Sequence, residues 1–285
     1  MFFILCFYFL CVYSYQHSRL VLLPGYGCCK NDYRDFITNG ERLGVSVDVV
    51  PIERWEWLKT TKAIFRSNYW KYECEPHEMF DWYLQKSKKT LFNSVAKNNG
   101  KPVILCGHSA GGWLSRALMN DGNIYDSDIR TNTCISSLVT LGTPNKVSLL
   151  KDNTRGCLHY VNTKFPHCFL QNQHIHYVTV GSNSKIINMK EGFNFKDQMV
   201  KQSYQSVIGQ TDETFVSGDG VVPLSHSHLK GSNQIVLFDV HHLQQKSKKC
   251  YWDVNVMKIW LSELKLAAPP SIGNSCRIYY RKKQG

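Results

Sequence analysis

The sequence contains a serine flanked by glycines in a spacing suited to nucleophilic catalysis. Residues 107–111 are Gly-His-Ser-Ala-Gly and directly follow the apolar run Pro102–Cys106. A sharp turn from a strand into a helix leaves no room for side chains two residues before and after the central serine. Gly107 and Gly111 meet that requirement. The pentad therefore predicts a nucleophile elbow, with Ser109 as a covalent catalyst.

A serine that attacks an acyl group also needs a base to take its proton and an acid to orient that base. Where a nucleophile elbow is used, the acid and then the histidine follow the serine in the chain. Asp219 is the candidate acid because Gly218 and Gly220 place it on a tight loop, just before Val-Val-Pro at 221–223. The competing interpretation is a turn-forming aspartate in a hairpin.

The candidate base lies one strand further along. The run Gln234–Phe238 is that strand, and His241 and His242 close it. Successive side chains of a strand point to opposite faces of the sheet, so the two histidines would point in opposite directions. Spacing alone therefore leaves both as candidates. Asp239 is an alternative acid, but it would have to fold back from the same strand end.

Two backbone N–H groups must also stabilise the negative charge that develops on the attacked oxygen. Ala110 follows the nucleophile at the start of its helix, where the helix dipole helps. Tyr26, in Pro24-Gly25-Tyr26-Gly27, follows the first strand and is the second candidate donor. The sequence thus predicts an oxyanion hole made of Tyr26 and Ala110.

His226 and His228 could form part of a metal site, since alternate residues of a strand share one face. With no third ligand at a recognisable spacing, both are interpreted as exposed loop histidines. We expect no metal and no cofactor.

The elements that must position these residues follow an alternating pattern. Short β-rich apolar runs alternate with longer helical patterns, which predicts an α/β fold with a mostly parallel sheet and helices on both faces. The predicted strands are Arg19–Leu23, Val45–Val50, Pro102–Cys106, Ile135–Leu141, His176–Val180 and Gln234–Phe238, and the predicted helices are Asn31–Arg42, Glu78–Lys97, Ala110–Asn120 and Tyr251–Leu264.

We predict one catalytic domain over residues 18–266. Two polar insertions without a clean period, at about 146–173 and 183–217, are interpreted as lids, caps or ordinary long loops. Residues 267–285 form a basic C-terminal tail. Residues 1–17 are a hydrophobic leader or signal peptide, which favours entry into the secretory pathway, with membrane association as the alternative.

The net charge indicates which binding partners the protein favours. The formal net charge of +12 favours a solvated basic surface or attraction to an anionic membrane or an acidic substrate. No nucleic-acid motif accompanies the charge, so nucleic-acid binding is not expected.

Two disulfides, Cys157 with Cys168 and Cys250 with Cys276, are compatible with the sequence, which fixes neither.

Four segments resemble the lipase-like α/β-hydrolases, in particular the group of GPI inositol-deacylase-like and plant or algal lipase-like proteins. They are residues 24–27, 107–112, Leu-Gly-Thr-Pro at 141–144 and Gly-Asp-Gly-Val-Val-Pro at 218–223. The similarity runs from about residue 19 to 264. It implies an α/β-hydrolase fold with Ser109 as nucleophile, Asp219 as acid, His242 as base, and Tyr26 and Ala110 at the oxyanion hole. It further implies hydrolysis of carboxylic esters, often of lipids, without a cofactor.

The sequence therefore predicts a serine esterase or lipase acting on lipid or fatty-acyl esters. A protein-palmitoyl or acyl thioesterase would use the same triad and stays open. A non-catalytic lipid- or partner-binding protein with this fold also stays open. A fluorophosphonate probe would separate that protein from the two enzymes, because it would not be labelled.

Overall fold

The computed structural model of the protein describes residues 18–119, 134–146, 153–171, 175–191, 194–209, 211–265 and 276–278. The predicted leader, residues 1–17, lies outside the described residues. So does the predicted basic tail apart from 276–278, for which the backbone is described.

A central sheet of seven parallel strands organises the described residues. In register, Leu22 pairs with Cys106, and Cys106 pairs with Val139. Parallel neighbours require crossover connections, which the helices supply. The strands are β1 Ser18–Leu23, β2 Val45–Val49, β3 Val103–His108, β4 Ile135–Leu141, β5 His176–Asn183, β6 Lys185–Asn188, β7 Phe215–Gly218, β8 Asn233–Phe238, β9 Val240–His241, β10 Lys249–Cys250 and β11 Cys276–Ile278. The order in the central sheet is β11-β8-β5-β4-β3-β1-β2. Strands β6 and β7 form a separate antiparallel pair, and β9 and β10 form a short parallel pair.

Helices cover both faces of this sheet, and local signals fix some of their ends. Pro76 occupies the first turn of the longest helix, and the Glu78 side chain accepts the Glu75 N–H at 2.8 Å, which completes a capping box. The helices are α1 Arg34–Arg42, α2 Ser67–Lys71, α3 Pro76–Lys97, α4 Ala110–Met119, α5 Cys157–Lys164, α6 Phe195–Ile208 and α7 Val254–Lys265, with 3₁₀ helices at Lys30–Tyr33, Arg54–Phe65 and Leu224–His226.

Successive strand residues divide between two apolar cores, as the two-residue period of a strand requires. Val21 and Leu105 face a core formed with α3, α4 and α5. Leu22 and Cys106 face the other core, formed with α1 and α7. Because both faces are covered, the strands are apolar on both sides, and their carboxyl ends are left to carry the site.

The predicted α/β architecture is confirmed. All six predicted strands and all four predicted helices are present, with ends that differ by up to three residues. The helix predicted from Tyr251 begins at Val254, and its predicted first residues form a turn instead. The helix predicted from Asn31 is a 3₁₀ turn followed by α1.

The two insertions contain regular structure that the sequence analysis did not predict. The first holds α5, and the second holds the β6–β7 pair and α6. Helix α6 begins after Asn194, whose side-chain oxygen accepts the Asp197 N–H at 3.1 Å. Neither described part is an ordinary long loop.

The two possible disulfides are not formed by the described cysteines. The Cys157 thiol donates to Met79 Sδ at 3.6 Å, and Cys168 and Cys250 are free thiols. The side chain of Cys276 lies outside the described residues. Burial raises the pKa of the Cys168 thiol to about 12, which keeps this sulfur protonated at neutral pH.

Candidate active site

Ser109 stands at a nucleophile elbow between β3 and α4. Its φ of +53° lies in the left-handed region that non-glycine residues rarely adopt. The Ser109 N–H donates to the Leu141 carbonyl at 2.9 Å, which holds the turn against β4. A β-carbon at Gly107 would collide with the Gly111 and Gly112 backbone, and one at Gly111 would collide with the Leu23 carbonyl. The glycines of the pentad are therefore needed for the steric reason predicted.

Asp219 lies on the loop after β7 and is 2% exposed. One carboxylate oxygen, Oδ1, accepts the N–H groups of Val221 at 2.9 Å and Val222 at 2.7 Å. The other, Oδ2, accepts from His242 Nδ1 at 2.7 Å and from the Tyr251 hydroxyl at 2.8 Å. Burial opposes the charge, but His242 and the hydrogen bonds outweigh it, so the pKa of Asp219 is held below its ordinary value.

The structure brings His242, and not His241, to the acid. The bond to the ionised Asp219 places the proton of neutral His242 on Nδ1, which leaves Nε2 as an acceptor. A second link holds the same pair, because the His242 N–H donates to the Asp219 carbonyl at 3.1 Å. His241 is half-buried, and Asp239, the alternative acid, is exposed.

Ser109 follows directly on His108, which contacts this pair. Among the described contacts, no hydrogen bond joins Ser109 Oγ to His242 Nε2. The connection runs through the preceding residue, since His108 Nε2 donates to the His242 carbonyl at 3.0 Å and the two rings lie 4.7 Å apart. In free enzymes, catalytic hydrogen bonds are often long and tighten when substrate binds.

The loop that carries Tyr26 approaches the nucleophile through Gly25. A β-carbon built on Gly25 would lie 2.9 Å from Ser109 Cβ. Neither the Tyr26 nor the Ala110 N–H has an acceptor among the residues that the structure describes. Neither N–H is therefore occupied by an acceptor within the described part of the chain, and the oxyanion hole stays a prediction.

A buried chain of hydrogen bonds joins this loop to the base, and sequence reasoning missed most of it. The Gly25 N–H donates to the Tyr33 hydroxyl at 2.9 Å, and that hydroxyl lies 2.8 Å from His108 Nδ1. Burial and the nearby His242 lower the pKa of His108 to about 3. His108 is therefore neutral, and its one proton goes to the His242 carbonyl from Nε2. The Tyr33 hydroxyl must then donate to His108 Nδ1, so both ring nitrogens of His108 and the Tyr33 hydroxyl have hydrogen-bond partners.

Two further residues support the acid and were not assigned a catalytic role from the sequence. Gly142, in Leu-Gly-Thr-Pro, has a φ of +53° and lies so close that a β-carbon would come 2.5 Å from Asp219 Oδ2 and 3.0 Å from His242 Nδ1. Tyr251 is fully buried and donates to the same carboxylate. Gly142 lies in one of the four segments that carry the resemblance, but no signal in the sequence pointed to Tyr251.

The interpretation of His226 and His228 as exposed loop residues is wrong. Both are half-buried, and His228 Nδ1 lies 3.0 Å from the Thr179 hydroxyl. Burial, with Lys146 nearby, lowers the pKa of each to about 4. Within the part of the chain that the structure describes, no group of three or more His, Cys, Asp or Glu side chains is arranged to hold a metal ion.

A glycine-flanked serine at the end of a central parallel strand, followed in the chain by a loop aspartate that is bonded to a later histidine, defines the protein as an α/β-hydrolase with a lipase-like fold. The chain belongs to the family described as PGAP1-like alpha/beta domain, whose model matches residues 78–228. The matched part contains Ser109 and Asp219, whereas Tyr26 and His242 lie outside it. No curated protein sequence matches the chain.

Several solved structures resemble the chain at low sequence identity. Est1E from Butyrivibrio proteoclasticus is 9% identical, with 87% of each chain covered and a TM-score of 0.42. The product of gene lin2722 from Listeria innocua is 11% identical, with 89% of this chain and 97% of that chain covered and a TM-score of 0.43. A soluble variant of monoglyceride lipase from Saccharomyces cerevisiae is 12% identical, with 92% and 77% covered and a TM-score of 0.33.

Proposed function

We propose that the protein is a serine hydrolase that cleaves carboxylic esters through Ser109, His242 and Asp219. Ser109 Oγ attacks the acyl carbonyl carbon while its proton passes to His242 Nε2. Asp219 holds the Nδ1 proton and stabilises the imidazolium. The observation that carries this proposal is the 2.7 Å bond between Asp219 Oδ2 and His242 Nδ1 beside the elbow.

The remaining steps follow from the same groups. The N–H groups of Tyr26 and Ala110 stabilise the tetrahedral oxyanion. His242 then returns its proton to the leaving alkoxide, which departs as an alcohol and leaves an ester on Ser109. A water molecule, deprotonated by His242, attacks that ester, releases the carboxylic acid and restores the serine hydroxyl. No step needs a metal or cofactor.

The substrate that we propose is a lipid or fatty-acyl ester, and we propose contact with an anionic membrane. The positive net charge of +12 supports the second part, because it favours approach to anionic lipid headgroups. The apolar stretch over residues 1–13 supports a location in the secretory pathway. Among the described residues, no helix has the length and apolar character needed to cross a membrane.

Fluorophosphonate labelling and hydrolysis of a p-nitrophenyl ester test the proposed mechanism. We expect Ser109→Ala to abolish labelling and to lower kcat by about 10⁴-fold or more. Ser225→Ala removes an exposed hydroxyl on the 3₁₀ helix Leu224–His226 and should retain both activities.

A second pair of variants tests which histidine is the base. His242→Gln should lower kcat by about 10⁴-fold, whereas His241→Gln should lower it less than tenfold. Equal hydrolysis by wild type and Ser109→Ala would contradict the proposal. A large loss in His241→Gln together with an active His242→Gln would contradict the assignment of the base.

A further inference from the structure

The 3₁₀ helix Arg54–Phe65 exposes an apolar stripe. In a 3₁₀ helix, side chains three residues apart lie above one another. Trp55, Leu58 and Ile64 share one such row and are 64%, 69% and 38% exposed. The row of Trp57 and Ala63 is buried, so the helix is firmly packed and its exposed apolar row is not a sign of loose structure.

The exposed surface continues at the last residue of the helix and beyond it. Phe65 is 93% exposed, and Trp70 on α2 is 64% exposed. The Trp70 Nε1–H donates to the Ile64 carbonyl at 2.9 Å, which fixes this indole beside the end of the 3₁₀ helix. We call Trp55, Leu58, Ile64, Phe65 and Trp70 the apolar ridge. Clustered exposed aromatic side chains of this kind mark interaction surfaces.

The segment that carries the apolar ridge has an excess of basic residues. Residues 54–71 contain five basic residues and one acidic residue, Glu56, although Arg54 is paired with Asp32 and Arg66 with Glu78. The Glu56 side chain is buried and is neutralised by Lys59 at 2.7 Å and Lys86 at 2.6 Å. Lys62 and Lys71 are exposed and form no ion pair within the described residues. The surface therefore favours an anionic partner.

The apolar ridge is attached to the loop of the proposed oxyanion hole. The Trp57 Nε1–H donates to the Cys28 carbonyl at 2.8 Å, and its ring lies 4.8 Å from that of Tyr26. The Arg54 guanidinium donates to the Gly27 carbonyl at 2.9 Å. The Tyr26 side chain is itself 61% exposed. The 3₁₀ helix that carries the apolar ridge is thus fixed to the loop that carries Tyr26.

We propose that the apolar ridge docks the protein on the surface of an anionic lipid bilayer. Tryptophan and phenylalanine side chains partition into the boundary between headgroups and acyl chains, and basic residues are attracted to anionic headgroups. Lys62 and Lys71 supply that attraction, and Trp55, Leu58, Phe65 and Trp70 enter the bilayer surface. This inference rests on the membrane contact proposed above and names the surface that makes it, but it does not depend on the hydrolase activity.

Vesicle co-sedimentation of the full chain tests the docking surface, with Ser109→Ala in every protein so that lipid hydrolysis plays no part. Vesicles of phosphatidylcholine with about 30% phosphatidylserine are compared with phosphatidylcholine alone. The triple variant Leu58→Ser, Phe65→Ser, Trp70→Ser should weaken binding to the anionic vesicles by about tenfold or more. The charge variant Lys62→Glu, Lys71→Glu should lose most of the preference for anionic vesicles.

A matched control uses another exposed apolar group. Phe195, Met199 and Phe215 are 78%, 57% and 64% exposed and lie on the second insertion. Their triple serine variant should bind as the parent protein does. Blue-shifted tryptophan fluorescence on adding anionic vesicles should accompany binding, and it should shrink in Trp55→Ser and Trp70→Ser.

Three results would overturn the docking proposal. They are no binding of the parent to anionic vesicles, unchanged binding of the ridge variant, and equal loss in the control. Dimers of the parent that become monomers in the ridge variant, without vesicle binding, would assign the apolar ridge to a second copy of the chain instead. Thermal unfolding of each variant verifies that it is folded.

Discussion

Two parts of the site are held in place by different forces. The elbow around Ser109 is fixed by close backbone contacts, because a β-carbon at Gly107 would collide with Gly112 and one at Gly111 would collide with the Leu23 carbonyl. The pair of Asp219 and His242 is fixed by hydrogen bonds from other segments, including the Tyr251 hydroxyl at 2.8 Å. The first arrangement is steric, and the second is polar.

This difference determines what each part tolerates. An added β-carbon at a crowded glycine forces the backbone to move, which displaces every group attached to it. Loss of one hydrogen bond from a carboxylate that accepts four leaves the carboxylate in place and weakens its hold on the histidine. Substitutions at the two parts should therefore differ in how abruptly activity falls.

The largest effect is expected where the acid itself loses its charge. Asp219→Asn keeps the shape of the side chain but removes its ability to hold the Nδ1 proton of His242. We expect kcat for a p-nitrophenyl ester to fall by about 10⁴-fold. Asp239→Asn, at the exposed position beside His241, is the control and should retain activity. A similar loss in both variants would contradict the assignment of Asp219.

A steric change beside the same pair should have the next largest effect. Alanine at Gly142 would place a β-carbon 2.5 Å from Asp219 Oδ2 and 2.7 Å from Tyr251 Cε2. A displacement of the acid and base by about 1 Å would lower kcat by roughly 10²-fold.

The control for this change is Gly100→Ala. Gly100 also has a left-handed φ, +74°, but a β-carbon there would meet no atom within 4 Å. Both alanine variants should lose some stability because of backbone strain. Only the Gly142 variant should lose most of its activity, and equal activity of the two would show that the approach to Asp219 is unimportant.

A smaller effect is expected from the polar support. Tyr251→Phe removes one of the four hydrogen bonds to the Asp219 carboxylate, and we expect kcat to fall about tenfold with KM little changed. Tyr204→Phe is matched, because the Tyr204 hydroxyl accepts the Gly220 N–H at 3.1 Å without contacting the carboxylate. If Tyr204→Phe reduced kcat as much as Tyr251→Phe, the effect would come from the loop and not from the acid.

The same contrast explains what the sequence predicted. The elbow and the strand β3 were predictable because the glycines, the serine and the apolar run are consecutive. Tyr33 was not, because it lies 75 residues from His108 and nothing near it in the sequence marks a hydrogen bond. Asp219 had flanking glycines as a local signal, whereas the distinction between His241 and His242 came from a family resemblance.

The sequence did not predict two helices, one whose buried residues repeat at an unusual spacing and one that has few buried residues. The 3₁₀ helix Arg54–Phe65 buries Trp57, Thr60 and Ala63, a three-residue period that matches neither an α-helix nor a strand. Helix α6 is amphipathic over too few apolar residues to stand out, since only Tyr204 and Ile208 are buried. Contacts with the rest of the fold determine whether such elements form, and these contacts cannot be read from a single sequence.

The smallest effect concerns stability and not catalysis. Burial lowers the pKa of His108 from its ordinary value of 6.5 to about 3. Between these two values the unfolded chain binds more protons than the folded protein. The free energy of unfolding therefore falls as the pH falls, and the contribution of neutral His108 is fully present only above about pH 6.5.

Replacing this histidine should remove its part of that pH dependence. In His108→Gln, the slope of the unfolding free energy between about pH 6 and pH 4 should be smaller by about 1.4 kcal/mol per pH unit than in the wild type. Above pH 7 the curves of the two proteins should run parallel, which provides the internal control. Denaturant unfolding at a series of pH values measures both slopes. Equal slopes below pH 6 would mean that His108 is not held neutral by its burial between Tyr33 and the His242 carbonyl.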